Sequence, residues 1–166
     1  MTTAKNITIR EPRLEDGKHF VALVHAAGTL DVNSSYLYYL LADHFSSTCA
    51  YAACDGEPAG FVSAYRLPED PACLFVWQIT VSPTVRGCGL GIKLLDDLAS
   101  RPWFGEIRRV CCTISPSNEA SRGLFAKWGK SLGGSWKETP YLRSQDLGAG
   151  HEDEPLLTIE LSHDGE

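Results

Sequence analysis

An apolar stretch, a glycine-rich turn and a leucine stripe follow one another in the middle of this chain. Residues 74–81 are almost continuously apolar, which predicts a central strand buried on both faces. Residues 86–91 then read Arg-Gly-Cys-Gly-Leu-Gly, and leucines follow at helical spacing, at Leu90, Leu94, Leu95 and Leu98. A buried strand that passes through a glycine turn into an amphipathic helix predicts a domain of mixed helices and sheet.

The other elements agree with one mixed α/β sheet. Alternating or apolar runs predict strands at residues 7–9, 48–54, 60–65, 109–114 and 156–161. Three more helices are predicted from helical spacing and capping residues: one ending at Gly28, one starting at residues 33–35 that buries Leu37, Leu40, Leu41 and His44, and one between Asn118 and Gly129. Residues 138–154 have little periodicity and are predicted to be irregular. Because no repeat or break in composition marks a boundary, residues 1–166 are expected to form a single domain.

Composition and charge limit the partners of such a domain. The chain is 43% hydrophobic and carries a formal charge of -6, which opposes binding to nucleic acid or anionic membranes and suits a small cationic substrate. No apolar run approaches the roughly 20 residues that span a bilayer. Residues 1–6 lack the apolar core of a signal peptide, so a cytoplasmic location is expected. The six cysteines include no CxxC pair and are expected to be reduced.

The glycine turn is predicted to bind a diphosphate. Glycines let ligand oxygens approach the backbone, and the N–H groups and dipole of a helix N-terminus favour an anion. A dinucleotide fingerprint would need GxGxxG with an acidic residue about twenty positions later, and Gly91-Ile92-Lys93 is out of register for a P-loop. An ordinary glycine-rich strand-to-helix turn is the structural alternative.

The context of this turn resembles the GNAT superfamily of acyl-CoA N-acyltransferases. Arg86, Gly89 and Gly91 match the Arg/Gln-x-x-Gly-x-Gly/Ala motif, and the order of elements fits over nearly the whole chain. The resemblance implies the GNAT fold, a mixed and mostly antiparallel sheet flanked by helices, with acetyl-CoA as co-substrate and no metal. It implies that the coenzyme is bound by Ile79, Val81, Arg86, Gly87, Cys88, Gly89, Leu90, Gly91, Asn118 and Phe125.

Two of these coenzyme-binding positions have a second interpretation. Asn118 is also a sufficient helix cap. Phe125 stands where many GNAT enzymes carry a tyrosine that protonates the departing thiolate, and phenylalanine has no proton to give. A thiol with a pKa near 8.5 leaves without that acid, and Tyr36 and Tyr141 are the residues that would replace it.

Two further segments resemble the diaminobutyrate acetyltransferases, a GNAT family of ectoine biosynthesis. They are Asp-Val-Asn-Ser-Ser-Tyr at residues 31–36 and His-Glu-Asp-Glu-Pro at residues 151–155, beside the strand at residues 75–81. The resemblance implies a homodimer that acetylates the γ-amine of L-2,4-diaminobutyrate. It implies that the amino acid is bound by Asp31, Asn33, Tyr36, Trp77 and Glu154, with His151 nearby.

Such a reaction needs a proton acceptor, because an amine with a pKa near 10 is only about one part in 10³ neutral at pH 7. The candidates are Glu154, Asp31 and His151. Each proposed site residue also has a structural interpretation: Asp31 as a helix cap, Trp77 as core, and Glu154 as part of a solvated acidic loop. No histidine or cysteine cluster has metal-ligand spacing, and His151 and His163 are isolated.

The predicted mechanism is direct attack of the neutral amine on the thioester in a ternary complex. Backbone N–H groups near Ile79 polarise the carbonyl, and Cys88 is not a nucleophile because it belongs to the diphosphate loop. Two alternatives stay open. In the first, the enzyme acetylates a different acceptor: a polyamine, an aminoglycoside or a peptide N-terminus. In the second, the protein is a catalytically silent sensor of acetyl-CoA.

Overall fold

The computed structural model describes residues 3–162, which form seven strands and five α-helices. The strands are β1 (Ile7–Arg10), β2 (Ala50–Cys54), β3 (Glu57–Leu67), β4 (Asp70–Val81), β5 (Arg109–Thr113), β6 (Ser135–Leu142) and β7 (Glu154–Glu160). The helices are α1 (Gly17–Ala27), α2 (Ser35–Asp43), α3 (Leu90–Ala99), α4 (Glu119–Ser131) and the short α5 (Ser144–Leu147). His163 lies outside the described residues.

The strands pair in the order β1-β2-β3-β4-β5-β7-β6. The pairs β1–β2, β2–β3, β5–β7 and β6–β7 are antiparallel, whereas β4 and β5 are parallel. This arrangement confirms the predicted mixed, mostly antiparallel sheet. The hairpin turn that joins β2 to β3 has Asp55 and Gly56 both at positive φ, as the tightest hairpin turns require.

The described residues divide into two compact units, residues 3–65 with 78–104 and residues 66–77 with 105–162. In the first unit, Phe20 stacks on Phe61 with ring centroids 4.1 Å apart, and Tyr38 meets Phe61 edge-on. In the second unit, Trp128 is fully buried and packs edge-on against Phe125. Each unit therefore has its own aromatic core. No helix in the described part of the chain is long and apolar enough to cross a membrane.

Strand β4 is not buried on both faces, contrary to the sequence prediction. Leu74, Val76, Gln78 and Thr80 are buried, but the alternate residues 75, 77, 79 and 81 are partly exposed. The alternation is not visible in the sequence, because the side chains on the partly exposed face are apolar like those on the buried face. A strand whose exposed face consists of large apolar side chains is available to a ligand.

The buried stripe predicted for α2 is wrong. Tyr38, Leu41 and Ala42 are buried, whereas His44 is exposed and Leu37 is only partly covered. Tyr38 did not belong to the predicted stripe, and a buried tyrosine hydroxyl needs a hydrogen-bond partner. The structure supplies one, since the Tyr38 hydroxyl donates to Gln78 Oε1 at 3.1 Å, and a satisfied tyrosine can be buried completely.

The segment predicted to be irregular, residues 138–154, contains the end of β6 and the helix α5. Among the described strands, β6 pairs with β7 alone, and most of its side chains are exposed. An edge strand with two exposed faces lacks the hydrophobic alternation that identifies a strand in sequence. Its register shifts between Thr139 and Leu142, around Pro140, which has no N–H to donate.

Helix α4 continues to Ser131, past its predicted end at Gly129. Gly129 is a packing residue, because a Cβ there would lie 3.0 Å from Ile159 Cδ1. The positive φ that ends such a helix occurs at Gly133, with a φ of 69°. Gly28, which was predicted to end α1, has the expected left-handed conformation.

Candidate active site

The glycine turn joins β4 to α3 through backbone that only glycine adopts without strain. Gly87 and Gly89 have φ values of 85° and 70°. A Cβ built at either position meets no atom within 4 Å, so the space beside the turn is open. Gly89 caps α3 without a side chain, and the first N–H groups of a helix have no intrahelical acceptor. The turn therefore presents open donors to an anion, as predicted for a diphosphate.

The other residues of the turn have separate roles. Leu90 is buried in the core of the first unit, so only its backbone can reach a ligand, and Gly91 is partly exposed. The Cys88 thiol donates to the Val85 carbonyl at 2.5 Å, which occupies its proton. Arg86 is exposed and has no hydrogen bond within the described residues. A free guanidinium beside open N–H groups adds positive charge where phosphate oxygens are expected.

Helix α3 lies close to β3 because Gly60 has no side chain. A Cβ on Gly60 would lie 2.7 Å from the Thr80 carbonyl oxygen and 3.3 Å from Leu94 Cδ1. The Ser82 N–H donates to the Ala59 carbonyl at 2.7 Å, which fixes the chain as it leaves β4. The position of the glycine turn thus depends on packing as well as on its own sequence.

Strand β4 continues well beyond its pairing with β5. Their register covers three residue pairs and ends where Phe75 meets Cys111, whereas β4 runs on to Val81. Ile79 and Val81, which were predicted to contact the coenzyme, lie in this extension and are partly exposed. An unpaired strand edge presents N–H and C=O groups to any extended molecule that lies along it.

In the first unit, the segment with Asp31, Asn33 and Tyr36 precedes and begins α2. Asp31 is exposed, Asn33 is partly buried, and the Tyr36 side chain is 73% exposed. Gln78 Nε2 donates to the main-chain oxygen of Asp31 at 3.1 Å, so the backbone of this segment is held while the Asp31 carboxylate is open. Asp31 does not cap α2, because its N-cap residue is Ser34.

In the second unit, Glu154 begins β7 and is partly buried. Thr113 Oγ1 donates to Glu154 Oε2 at 2.8 Å, which fixes the carboxylate and leaves its other oxygen open. Glu152 accepts from the Ser117 hydroxyl, and Asp153 accepts from the Ser144 N–H at 2.7 Å. Glu154 is therefore not part of a freely solvated acidic loop, because each of the three carboxylates has a fixed donor.

The remaining predicted residues of the second unit belong to different elements or loops. Trp77 is partly exposed on β4, and His151 is exposed before β7. Asn118 caps α4 by accepting a hydrogen bond from the Ser121 N–H at 3.2 Å, as expected if its role is structural. Phe125 is only 3% exposed and packs against Trp128. The proposed contacts of these four residues with substrate or coenzyme stay predictions.

Sequence reasoning missed Thr113, Tyr38 and Gln78. The signal for Gln78 was present, since a lone amide in an apolar strand must find a partner when it is buried. Thr113 ends β5, and nothing in its neighbourhood distinguishes it from an ordinary strand threonine. Its function depends on the pairing of β5 with β7, which brings residues 41 positions apart into contact.

The thiols do not form a nucleophilic site. Burial raises the pKa of Cys49 to about 12, and burial also raises the pKa of Cys112. A hydrogen bond with Cys73 lowers the pKa of Cys111, but Cys111 is only 6% exposed and its sulfur lies 3.1 Å from that of Cys73. No group of three metal-ligating side chains occurs within residues 3–162. Within the described residues, the groups that remain as candidates for binding and catalysis are the open backbone N–H donors of the glycine turn and the carboxylates of Asp31 and Glu154.

Comparison with known proteins relates this geometry to an enzyme family. The model of the acetyltransferase (GNAT) family matches residues 18–129. The L-2,4-diaminobutyric acid acetyltransferase of Chromohalobacter salexigens is 40% identical over 156 residues, which cover 93% of this chain and 81% of that protein. The enzyme of the same name from Halomonas elongata is 37% identical over 94% of this chain and 82% of its own length.

A solved structure of similar sequence contains an amino-acid substrate and coenzyme A. Diaminobutyrate acetyltransferase EctA from Paenibacillus lautus, in complex with L-2,4-diaminobutyric acid and coenzyme A, superimposes with a TM-score of 0.93. The two chains are 35% identical, and the alignment covers 98% of this chain and 100% of that one.

Proposed function

Because the chain belongs to the GNAT family of acetyltransferases, we propose that it transfers the acetyl group of acetyl-CoA to the γ-amine of L-2,4-diaminobutyrate. The observation that carries this conclusion is 40% identity to an enzyme of that name over 93% of the chain. The product is N4-acetyl-L-2,4-diaminobutyrate, an intermediate of ectoine biosynthesis. The carbon–nitrogen bond forms as the carbon–sulfur bond breaks, and coenzyme A leaves as a thiolate that takes up a proton.

The glycine turn supports binding of acetyl-CoA. The backbone N–H groups of residues 87–91 are proposed to donate to the diphosphate, with Arg86 supplying positive charge. The open space at Gly87 and Gly89 and the side-chain-free cap of α3 fit a large anionic group. The unpaired edge of β4 around Ile79 and Val81 is proposed to hydrogen-bond the amide-containing arm of the coenzyme.

The residue types proposed for the acceptor match the charges of a diamino acid. Its two ammonium groups suit the carboxylates of Asp31 and Glu154 and the aromatic face of Trp77. Its single carboxylate suits donors such as the Asn33 amide and the Tyr36 hydroxyl. The net charge of -6 agrees with an acceptor that carries more positive than negative groups.

Glu154 is the proposed proton acceptor. Making an amine with a pKa near 10 neutral at pH 7 costs roughly 4 kcal/mol, so a fixed base is needed at the reacting nitrogen. Thr113 holds one Glu154 oxygen at 2.8 Å and leaves the other for that proton. Asp31 and His151, both exposed, are the other candidates and have no comparable positioning contact to their side chains among the described residues.

Mass spectrometry after incubation with acetyl-CoA and diaminobutyrate tests this function. We expect one added acetyl group on the γ-nitrogen and turnover on spermidine at least about tenfold lower, because spermidine lacks a carboxylate and leaves the groups built to bind it unpaired. Comparable turnover on spermidine or an aminoglycoside would assign a different acceptor. Tight acetyl-CoA binding without any acetylated product would favour the alternative that the protein is a catalytically silent sensor of acetyl-CoA.

Two further properties are proposed from the family resemblance and from the composition of the chain. The enzyme is expected to act as a homodimer, which sedimentation equilibrium at two protein concentrations measures. It is expected to act in the cytoplasm, where acetyl-CoA is available and where its six free thiols stay reduced.

A further inference from the structure

Two buried side chains, Tyr38 and Gln78, are hydrogen-bonded to the segment that contains Asp31 and Asn33. Gln78 Nε2 donates to the main-chain oxygen of Asp31 at 3.1 Å, and the Asn33 N–H donates to the Tyr38 hydroxyl at 3.4 Å. The Tyr38 hydroxyl in turn donates to Gln78 Oε1 at 3.1 Å. These three hydrogen bonds form a closed ring that holds the backbone at two points.

The ring has one arrangement because it is buried and its members are paired. Tyr38 is fully buried and Gln78 is 6% exposed. Ser63, also fully buried, fixes the main chain of Gln78 from both sides, accepting from its N–H at 3.2 Å and donating to its carbonyl at 3.4 Å. Rotating the Gln78 amide would leave buried polar groups unpaired, which is costly.

The ring holds the backbone of residues 31–33 but does not touch the Asp31 carboxylate. That carboxylate is exposed and accepts no hydrogen bond from the described residues. Such a division, with a fixed main chain and an open charged group, is what a binding residue on a loop requires. A core packing role alone would not need both hydrogen bonds to end on the same three-residue segment.

We propose that Tyr38 and Gln78 are positioning residues for the amino-acid substrate. They place the Asp31 carboxylate where it pairs with an ammonium group of the diamine. This inference rests on the proposed function, because it takes Asp31 to bind that substrate.

The variants Tyr38→Phe and Gln78→Leu test the proposal in the full-length enzyme. We expect KM for diaminobutyrate to rise several-fold in Tyr38→Phe and about tenfold in Gln78→Leu, while KM for acetyl-CoA stays within about twofold. Thr48→Val is the matched control. Thr48 is 8% exposed, and its hydroxyl donates to the Ala64 carbonyl at 2.6 Å, so the variant also loses a buried hydrogen bond. It should lower the melting temperature without changing KM for diaminobutyrate.

A double-mutant cycle with Asp31→Asn separates positioning from general stability. If Gln78 acts through Asp31, Gln78→Leu should add little to KM in the Asp31→Asn background, because the carboxylate that it positions is gone. Equal increases in both backgrounds, or equal increases in KM for both substrates, would overturn the proposal. Failure of the proposed function itself would be seen in the wild type, as absent turnover on diaminobutyrate, and would remove this inference with it.

Discussion

At the scale of single residues, the hydroxyl-bound carboxylate of Glu154 makes the most specific prediction. Replacing it by glutamine keeps the shape and the Thr113 contact but removes the ability to accept a proton. We expect Glu154→Gln to lower kcat/KM for diaminobutyrate by at least about 100-fold, the usual contribution of a general base. Steady-state kinetics measures this, with acetyl-CoA binding followed by calorimetry.

Glu152→Gln is the matched control for that variant. Glu152 lies two positions earlier and also accepts from a hydroxyl, that of Ser117, but it is exposed and has no proposed contact with substrate. We expect its kcat/KM to stay within about threefold of the wild type. If the two variants lost activity equally, the acidic segment would act through its fold, and the base would have to be sought at Asp31 or His151.

The same scale shows which site residues a sequence can identify. Charged and glycine residues with a characteristic spacing, such as Arg86 and Gly89, could be proposed from the sequence because residues of these types are unusual at those positions. Tyr38 and Gln78 were missed because each is explained only by the other, and they lie 40 positions apart. A buried hydrogen bond between residues far apart in sequence produces no local sequence pattern by which it could be predicted.

At the scale of elements, a substitution in the turn between β4 and α3 distinguishes an effect on coenzyme binding from an effect on folding stability. Gly89→Asp places a carboxylate beside the proposed diphosphate site and forces a non-glycine residue to a φ of 70°. We expect KM for acetyl-CoA to rise more than about tenfold through charge repulsion, with a loss of about 1–2 kcal/mol in stability from the left-handed backbone. Kinetics and thermal unfolding measure the two effects.

Gly133→Asp is the control because it carries the same strain elsewhere. Gly133 has a φ of 69°, and a Cβ there also meets no atom within 4 Å. We expect a similar loss of stability and an unchanged KM for acetyl-CoA. A Gly89→Asp enzyme with normal KM would show that the turn only connects β4 to α3.

The elements also show where sequence prediction stopped. Strands that bury one face, such as β5 and β7, were predicted close to their observed bounds, because burial requires apolar residues at regular positions along the strand. Strand β6 was missed, since it is an edge strand with exposed side chains and a proline at position 140. Its pairing with β7 is a long-range property that local propensity does not encode.

At the scale of the whole molecule, a buried carboxylate in the first unit makes stability depend on pH. Asp16 is 3% exposed, and it accepts from Arg10 Nη1 and from the Arg13 N–H, both at 2.7 Å. Burial acts to raise the pKa of Asp16, but these hydrogen bonds outweigh it and hold the pKa below its usual value. A carboxyl group whose pKa is lower in the folded state stabilises the protein when it is ionised.

Because the pKa of Asp16 is lowered in the folded state, the protein loses stability as the pH falls. The stabilisation is complete above the unfolded-state pKa of about 3.9 and is lost as the pH falls through the lower folded-state value. Asp16→Asn should therefore be less stable than the wild type by about 2 kcal/mol at neutral pH, the contribution of hydrogen bonds to a charged group. Urea unfolding from pH 7 down to pH 3 measures this difference, which should narrow below pH 4. A difference that stays constant down to pH 3 would mean that the stability lost in Asp16→Asn does not depend on the ionisation of Asp16, because asparagine cannot titrate.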